Sequence, residues 1–199
     1  MKRTLSVALV VLGLAAVVAV AAATQVKKLS TYGWKGESGG AIMVVDTDVA
    51  RYRGGEKYIP LVVFLGHTEN KTLHADRGSF TLTDPAGVRH ALPTSEALLK
   101  GYTANMVTAD YSMIRTLQNY GSMVYLACQY IPRVAFFPNP SGQPGVLYDH
   151  VQLPNRTYFT TLLYFPNPAG KASGNYTLTY DDPKSGTHIE VPFPIEWQK

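Results

Sequence analysis

Apolar and polar residues alternate along much of the chain, and a period of two is typical of half-buried β-strands. The alternation is clear over residues 159–165, 176–180 and 189–197. Residues 58–65 are instead apolar at nearly every position, which predicts a strand in the middle of packed layers. Short strands separated by Gly, Pro and Asn turns favour a mainly β fold, and specifically a β-sandwich.

The clearest local prediction is a hairpin over residues 79–92. Ser79-Phe80-Thr81-Leu82-Thr83 alternates strictly, and Asp84-Pro85-Ala86-Gly87 has the residue types of a four-residue turn. The final strand contains Pro192 and Pro194, which cannot donate to a neighbouring strand. That strand is therefore expected at the edge of a sheet.

One segment, about residues 94–119, has a helical pattern instead. Thr94 is placed to cap a short helix that ends at Gly101, a residue suited to the left-handed closing position. After it, apolar residues recur at helical spacing, namely Tyr102, Met106, Ala109, Met113 and Leu117. The pattern predicts a helical insertion, whose methionine-rich stripe serves either core packing or a cofactor or peptide groove.

The first 23 residues have the composition of an export signal. Lys2 and Arg3 precede an apolar run that ends in three alanines, so cleavage is expected between Ala23 and Thr24. The run is also long enough to remain as a membrane anchor, and both alternatives place the body outside the cytoplasm. Residues 24–40 are glycine-rich and are expected to form a flexible tether to a domain over 41–199.

Charge and cysteine content exclude some classes of protein. The formal net charge of +4 falls by two if residues 1–23 are removed, and no basic run remains to indicate nucleic-acid binding. The single cysteine, Cys128, excludes an internal disulfide. Its apolar neighbours predict a buried, unreactive thiol, with a catalytic nucleophile or an intermolecular link as alternatives.

Two stretches resemble a known family. The apolar strand 58–65 and the segment Gly78-Ser79-Phe80-Thr81-Leu82-Thr83-Asp84-Pro85-Ala86-Gly87 are similar to bacterial extracytoplasmic immunoglobulin-like domains of the secreted-antigen and surface-lipoprotein type. Residues 163–166 and 176–180 match later strands of that pattern. The resemblance implies an adhesion, binding or accessory role without a shared active site. The helical segment from Thr94 to Asn119 departs from the pattern.

No catalytic, metal or cofactor motif is evident. His67, His74 and Asp76 are the nearest approach to a ligand set, but their spacing shows no convergent geometry, so neither a metal nor a cofactor is expected. The adjacent carboxylates Asp181 and Asp182 would point to opposite faces of a strand, and they are better explained as turn formers than as an acid–base pair. We therefore expect that the protein is not an enzyme.

A short internal repeat supplies the candidate binding residues. Phe136-Phe137-Pro138-Asn139-Pro140-Ser141-Gly142 is repeated as Tyr164-Phe165-Pro166-Asn167-Pro168-Ala169-Gly170. Each copy reads as a strand end followed by a stiff loop, with the phenylalanines in the core and Asn139 and Asn167 in solvent. One hypothesis is a shared partner-binding surface of Asn139, Pro140, Asn167 and Pro168. The alternative is only a similar exit from two strands.

The sequence therefore favours an exported immunoglobulin-like module of the cell envelope, with a binding or structural role. Its expected partner is a protein, an envelope component or another copy of the chain. The alternative is an envelope enzyme whose site lies between the helical insertion and the sandwich and uses Cys128 or a histidine.

Overall fold

The computed structural model describes residues 24–101, 128–131, 136–137, 148–167 and 173–198. The first strands are β1 (Gln25–Lys28), β2 (Gly33–Ser38), β3 (Ala41–Asp46), β4 (Tyr58–His67), β5 (Leu73–Asp76), β6 (Phe80–Thr83) and β7 (Arg89–Ala91). The later elements are α1 (Ser95–Gly101), β8 (Gln129–Tyr130), β9 (His150–Leu153), β10 (Thr157–Pro166), β11 (Gly174–Asp182) and β12 (Thr187–Ile195). Short 3₁₀ helices cover Ala50–Tyr52 and Arg77–Ser79.

The chain is mainly β, with antiparallel sheets. A six-stranded sheet has the order β1-β2-β3-β4-β10-β8, and a four-stranded sheet has the order β12-β11-β6-β7. Strands β5 and β9 form a separate pair. The one parallel pairing between described strands joins β8 to β10. Along the sequence, the chain crosses from the six-stranded sheet to the four-stranded sheet and back, and the arrangement is sandwich-like.

One apolar cluster joins the two larger sheets. It includes Leu61 and Val63 of β4 and Phe159 and Leu163 of β10, together with Phe80 of β6 from the other sheet. Since side chains alternate along a strand, the intervening residues of β4 face the opposite side of the six-stranded sheet. There they form a second cluster, which also contains Leu98 of α1 and Phe137. Burial on both faces explains why residues 58–65 are apolar throughout.

The predicted hairpin and edge strand are both present. β6 pairs with β7, and Gly87 at the end of the turn has a φ of 83°, a conformation that favours glycine. The Asp84 carboxylate accepts hydrogen bonds from the backbone N–H groups of Ala86 and Val88. β12 lies at one end of its sheet in the described part of the chain, with Pro192 and Pro194 exposed.

The flexible tether expected over residues 24–40 is wrong. β1 and β2 form an antiparallel pair at the end of the six-stranded sheet, and Trp34 is buried in the core. The glycines of this segment are explained by the structure. Gly39 and Gly40 form the turn into β3 at positive φ, and Gly36 lies beneath β12. A Cβ at Gly36 would lie 2.7 Å from Val191 Cγ2, so only glycine permits this close approach of the sheets.

The first part of the predicted helical segment is present as α1. Thr94 Oγ1 accepts a hydrogen bond from Ala97 N at 3.2 Å, as expected of an N-cap. Gly101 is still helical and is not among the glycines with positive φ, so the predicted left-handed closure is wrong at that residue. The predicted helical residues 102–119 and the export segment 1–23 lie outside the described residues. Within the described ranges, no helix has the length and apolarity needed to cross a membrane.

Candidate functional site

A cavity of about 160 Å³ lies between the β1–β2 hairpin and the end of β12; we call it the Trp34 cavity. Its wall is contributed by both ends of the described chain. The lining residues are Lys28, Thr31, Tyr32, Trp34, Thr47, Arg51, Pro194 and Glu196.

The close packing of β12 over β2 creates this cavity. The Trp34 ring lies 6.1 Å from the ring of Phe193, measured between centroids, at a tilt of 37°. Beyond this contact β12 ends at Ile195, and Gln198 N donates a hydrogen bond to Arg51 O at 2.9 Å. This bond holds the last described residues against the 3₁₀ helix. The cavity is therefore part of a hydrogen-bonded framework.

Arg51 is fixed in one orientation by its neighbours. Its Nε donates to Asp48 Oδ1 at 2.7 Å and its Nη1 donates to the Tyr32 hydroxyl at 2.8 Å. The guanidinium also lies 4.1 Å and 4.4 Å from the ring centroids of Tyr32 and Tyr52. Burial alone would lower the pKa of Arg51, but the hydrogen bond to Asp48 and the charge interactions with Asp48, Tyr32 and Tyr52 together outweigh it, so the pKa is raised. The guanidinium therefore stays charged and holds the Tyr32 wall in place.

Lys28 and Glu196 form no ion pair with any described residue. Lys28 Nζ lies 5.6 Å from the Trp34 ring centroid, and its side chain forms no ion pair within the part of the chain that the structure describes. The Glu196 carboxylate, exposed on the opposite wall, also has no hydrogen-bond or ion-pair partner among the described residues. A cation and an anion thus line one small cavity without pairing to each other.

The histidines considered as metal ligands do not converge. His67 is fully buried, because β4 extends through it and it continues the inward face of that strand. Its Nδ1 accepts from Glu69 N at 2.9 Å. Asp76 instead caps the 3₁₀ helix Arg77–Ser79. No group of three or more potential metal ligands occurs within the described ranges.

His74 and Asp182 belong to a structural network. The buried Asp182 carboxylate accepts from His74 N at 2.8 Å, from Ser185 Oγ at 2.7 Å and from Lys184 N at 3.0 Å. Burial alone would raise the pKa of Asp182, but these hydrogen bonds outweigh it and lower the pKa. Ser185 Oγ and the His74 backbone N–H both donate to this carboxylate, which thereby joins the β11–β12 turn to β5. The turn-forming role predicted for Asp182 is confirmed.

Two further carboxylates have structural partners. Asp149 accepts from Arg77 Nε at 2.6 Å and from Ser95 Oγ at 2.7 Å, which ties the start of α1 to the segment before β9. Asp84 accepts from His90 Nε2 at 2.9 Å, and this bond lowers the pKa of Asp84. These charged groups stabilise turns and element ends.

Cys128 is half-buried next to the second apolar cluster. Its Sγ donates to the main-chain oxygen of His67 at 3.5 Å, and no contact with an imidazole nitrogen is present among the described residues. Burial raises the pKa of the thiol, which favours the protonated, unreactive form. The reactivity of Cys128 stays a prediction.

The two copies of the internal repeat differ in the backbone of their aromatic residues. Tyr164 and Phe165 lie near the end of β10, as predicted. Phe136 has a φ of 68°, which is outside the extended region that the corresponding Tyr164 occupies in β10. The phenylalanines Phe137 and Phe165 are buried, as predicted.

Asn167 is not the solvent-facing residue that we expected. It is half-buried, and its Nδ2 donates to Gly54 O at 3.1 Å and to Glu56 O at 3.0 Å, which ties the end of β10 to the loop before β4. Asn139, Pro140 and Pro168 lie outside the described residues. Their partner-binding role stays a prediction, as does the shared surface of the two loops.

Sequence reasoning missed the Trp34 cavity because it assigned four of the lining positions, Lys28, Thr31, Tyr32 and Trp34, to a flexible tether. The available signal was the sequence Tyr32-Gly33-Trp34 in a glycine-rich segment, since buried aromatic residues rarely belong to a linker.

Comparison with known proteins found no matching family model, no matching curated protein and no matching solved structure.

Proposed function

We propose that this chain is an exported binding module of the cell envelope, built on an immunoglobulin-like β-sandwich with a helical insertion over about residues 94–119. The observation that carries the proposal is the Trp34 cavity, whose lining includes Lys28 and Glu196, two exposed residues of opposite charge that form no ion pair within the described residues. Ligand sites commonly combine apolar walls with a few convergent polar groups. The Trp34 cavity combines the surfaces of Trp34 and Pro194 with charged and hydroxyl-bearing side chains.

The use of the other charged groups favours binding over catalysis. Asp84, Asp149 and Asp182 each accept hydrogen bonds that fix a turn or an element end. An active site requires titratable groups that converge where a substrate can reach them. Lys28 and Glu196 lie on the walls of the Trp34 cavity, where their opposite charges suit recognition of a ligand.

The export part of the proposal rests on the N-terminal segment. The apolar run ends at Ala23, and the described fold begins at once: Thr24 Oγ1 accepts a hydrogen bond from Glu190 N at 3.2 Å, and β1 starts at Gln25. Cleavage after Ala23 would therefore leave a mature chain whose first residues are already part of the sheet.

Cosedimentation with insoluble envelope material from the cells that make the protein tests this proposal. Thr31→Trp fills the cavity from an exposed lining position, and Thr72→Trp makes the same change on an exposed loop outside it. We expect binding to fall at least tenfold for Thr31→Trp and to be unchanged for Thr72→Trp, with both variants equally stable to heat. Equal cosedimentation of the two variants would refute the role of the cavity.

A further inference from the structure

The outer edge of β1 carries backbone groups that no described residue pairs with. β1 lies at the end of the six-stranded sheet, and all of its residues are exposed. Leu29 N donates to Gly33 O at 2.8 Å, and hydrogen-bonded pairs alternate along an antiparallel ladder. The N–H and C=O groups of Val26 and Lys28 therefore point away from β2. Such an edge can add a further strand.

The neighbouring edge, that of β12, is closed to a further strand. Glu190 N donates to Thr24 Oγ1 at 3.2 Å, so its N–H group lies on the side of β12 that faces away from β11. Because backbone direction alternates along a strand, Pro192 and Pro194 stand at positions whose N–H groups would point the same way, and proline has no N–H group. Of these two edges, β1 is the one that can donate to an added strand.

The side chains of β1 favour an acidic strand. Lys27 lies directly opposite Lys35 of β2, and like charges at directly opposed positions repel each other. Lys35 is paired to Glu37, whereas Lys27 forms no ion pair with any described residue. A carboxylate beside Lys27 on an added strand would offset this repulsion. On the other face of β1, Val26 is 43 % exposed, so an apolar residue suits the adjoining position of the added strand.

We infer that the open edge of β1 takes an extended segment of a partner protein as an added strand, in which acidic residues alternate with apolar ones; this inference rests on the proposed binding function. Backbone hydrogen bonds to Val26 and Lys28 supply affinity, and a carboxylate beside Lys27 supplies selectivity. A second copy of β1 does not suit this edge, because the strand has two lysines and no acidic residue.

Cavities at both ends of β1 set the length of chain that the edge accommodates. Lys28 lines the Trp34 cavity at one end, and Gln25 lines a second cavity of about 350 Å³ at the other, beside the turn of Gly39 and Gly40. Gln25 and Lys28 lie about 10 Å apart along an extended strand and point to opposite faces. The added strand therefore directs one side chain to each cavity, from residues three positions apart.

Fluorescence polarisation with labelled peptides and the exported protein tests the partner class. The probes are a short peptide of alternating glutamate and valine, and the same peptide with glutamine or lysine in place of glutamate. We expect the glutamate peptide to bind about two- to fivefold more tightly than the glutamine peptide, and the lysine peptide to bind most weakly. Added salt should reduce the difference, because the charges are exposed.

Variants of β1 locate the binding. Val26→Pro removes an N–H group from the open edge and should weaken binding of the glutamate peptide about two- to tenfold, whereas Val26→Ile keeps that group and should bind as the wild type does. Lys27→Glu should reverse the preference in favour of the lysine peptide. Its melting temperature should not fall, because the repulsion by Lys35 is removed. Lys184→Glu, the same change on an exposed turn, should keep the wild-type preference.

Failure of this inference is distinguishable from failure of the proposed function. If cosedimentation with the envelope depends on Thr31 while the wild type binds all three peptides equally, the binding function stands and the assigned partner class is wrong. The same conclusion follows if Val26→Pro and Lys27→Glu leave peptide binding unchanged. A wild-type dimer that Val26→Pro dissociates in analytical ultracentrifugation would assign the edge to a second copy and would also overturn the inference. Absence of both the Thr31 dependence and the peptide preference would overturn both proposals.

Discussion

Replacing Asp182 by asparagine should destabilise the protein more than any other single carboxylate-to-amide change we consider. The Asp182 side chain is 1 % exposed, and it joins β5 to the β11–β12 turn through hydrogen bonds from His74 N and Ser185 Oγ, both to Oδ2, and from Lys184 N to Oδ1. An amide keeps only one accepting oxygen. In either orientation its NH₂ group faces a backbone or hydroxyl donor that then has no acceptor.

The expected cost follows from these bonds. A hydrogen bond to a charged group contributes about 1.5–3 kcal/mol, and a buried donor left without a partner costs about 1–3 kcal/mol. Losing one such bond and weakening the others gives a loss of about 3 kcal/mol in the free energy of unfolding. For a chain of this length each kcal/mol lowers the melting temperature by about 2–4 °C, so the shift should be roughly 6–12 °C.

Urea denaturation of the wild type and of two variants at neutral pH is the assay. Asp181→Asn is the matched control, because Asp181 is the next residue but its side chain is 52 % exposed; its effect should stay within about 0.5 kcal/mol. The lowered pKa of Asp182 adds a pH test. Its stabilisation is complete above the unfolded-state pKa of about 3.9 and is lost as the pH falls through the lower folded-state pKa. If the two variants lose equal stability, the buried network is not the cause.

Three further predictions concern other parts of the molecule. Gly36→Ala places a Cβ 2.7 Å from a β12 methyl group and should cost about 1–3 kcal/mol in urea denaturation, whereas Gly55→Ala, in open space, should cost little; equal costs would argue against the close sheet packing. The His188 pKa, measured by NMR titration, should be raised by the bond to Asp181 and should fall in Asp181→Asn. The stabilisation from this pair is present at low pH and is lost as the pH rises through the folded-state pKa of His188. An unchanged His188 pKa in the variant would contradict the assignment. The intact mass of the exported protein should correspond to a chain that starts at Thr24, and a full-length mass in membranes would favour the anchor.

Local patterns predicted much of the β structure. The turn at residues 84–87 was predictable because Asp, Pro and Gly each have a conformational preference at their turn position. Residues 58–65 were predictable as an inner strand because only a strand buried on both faces is apolar throughout. Burial of Phe137 and Phe165 was predictable because both are large apolar residues directly before a proline-containing loop.

The candidate site was not predictable in the same way, because it depends on contacts between distant parts of the chain. Gly36 looks like a linker residue because the residues that pack on it, Ile189 and Val191 of β12, lie at least 153 positions later in the sequence. His67 looks like a loop histidine because nothing local shows that β4 continues to it. Lys28 and Glu196 meet at one cavity only after the six- and four-stranded sheets have packed together.

The most direct test of the central claim is a map of the ligand contact on the molecule itself. Amide chemical shifts of the exported protein should be recorded by NMR while a soluble extract of its own envelope is added. We predict that the shifts change at the residues lining the Trp34 cavity, above all Lys28, Trp34 and Glu196, and that they stay constant around Asp182 and α1. Shift changes confined to surfaces away from the Trp34 cavity would contradict the account.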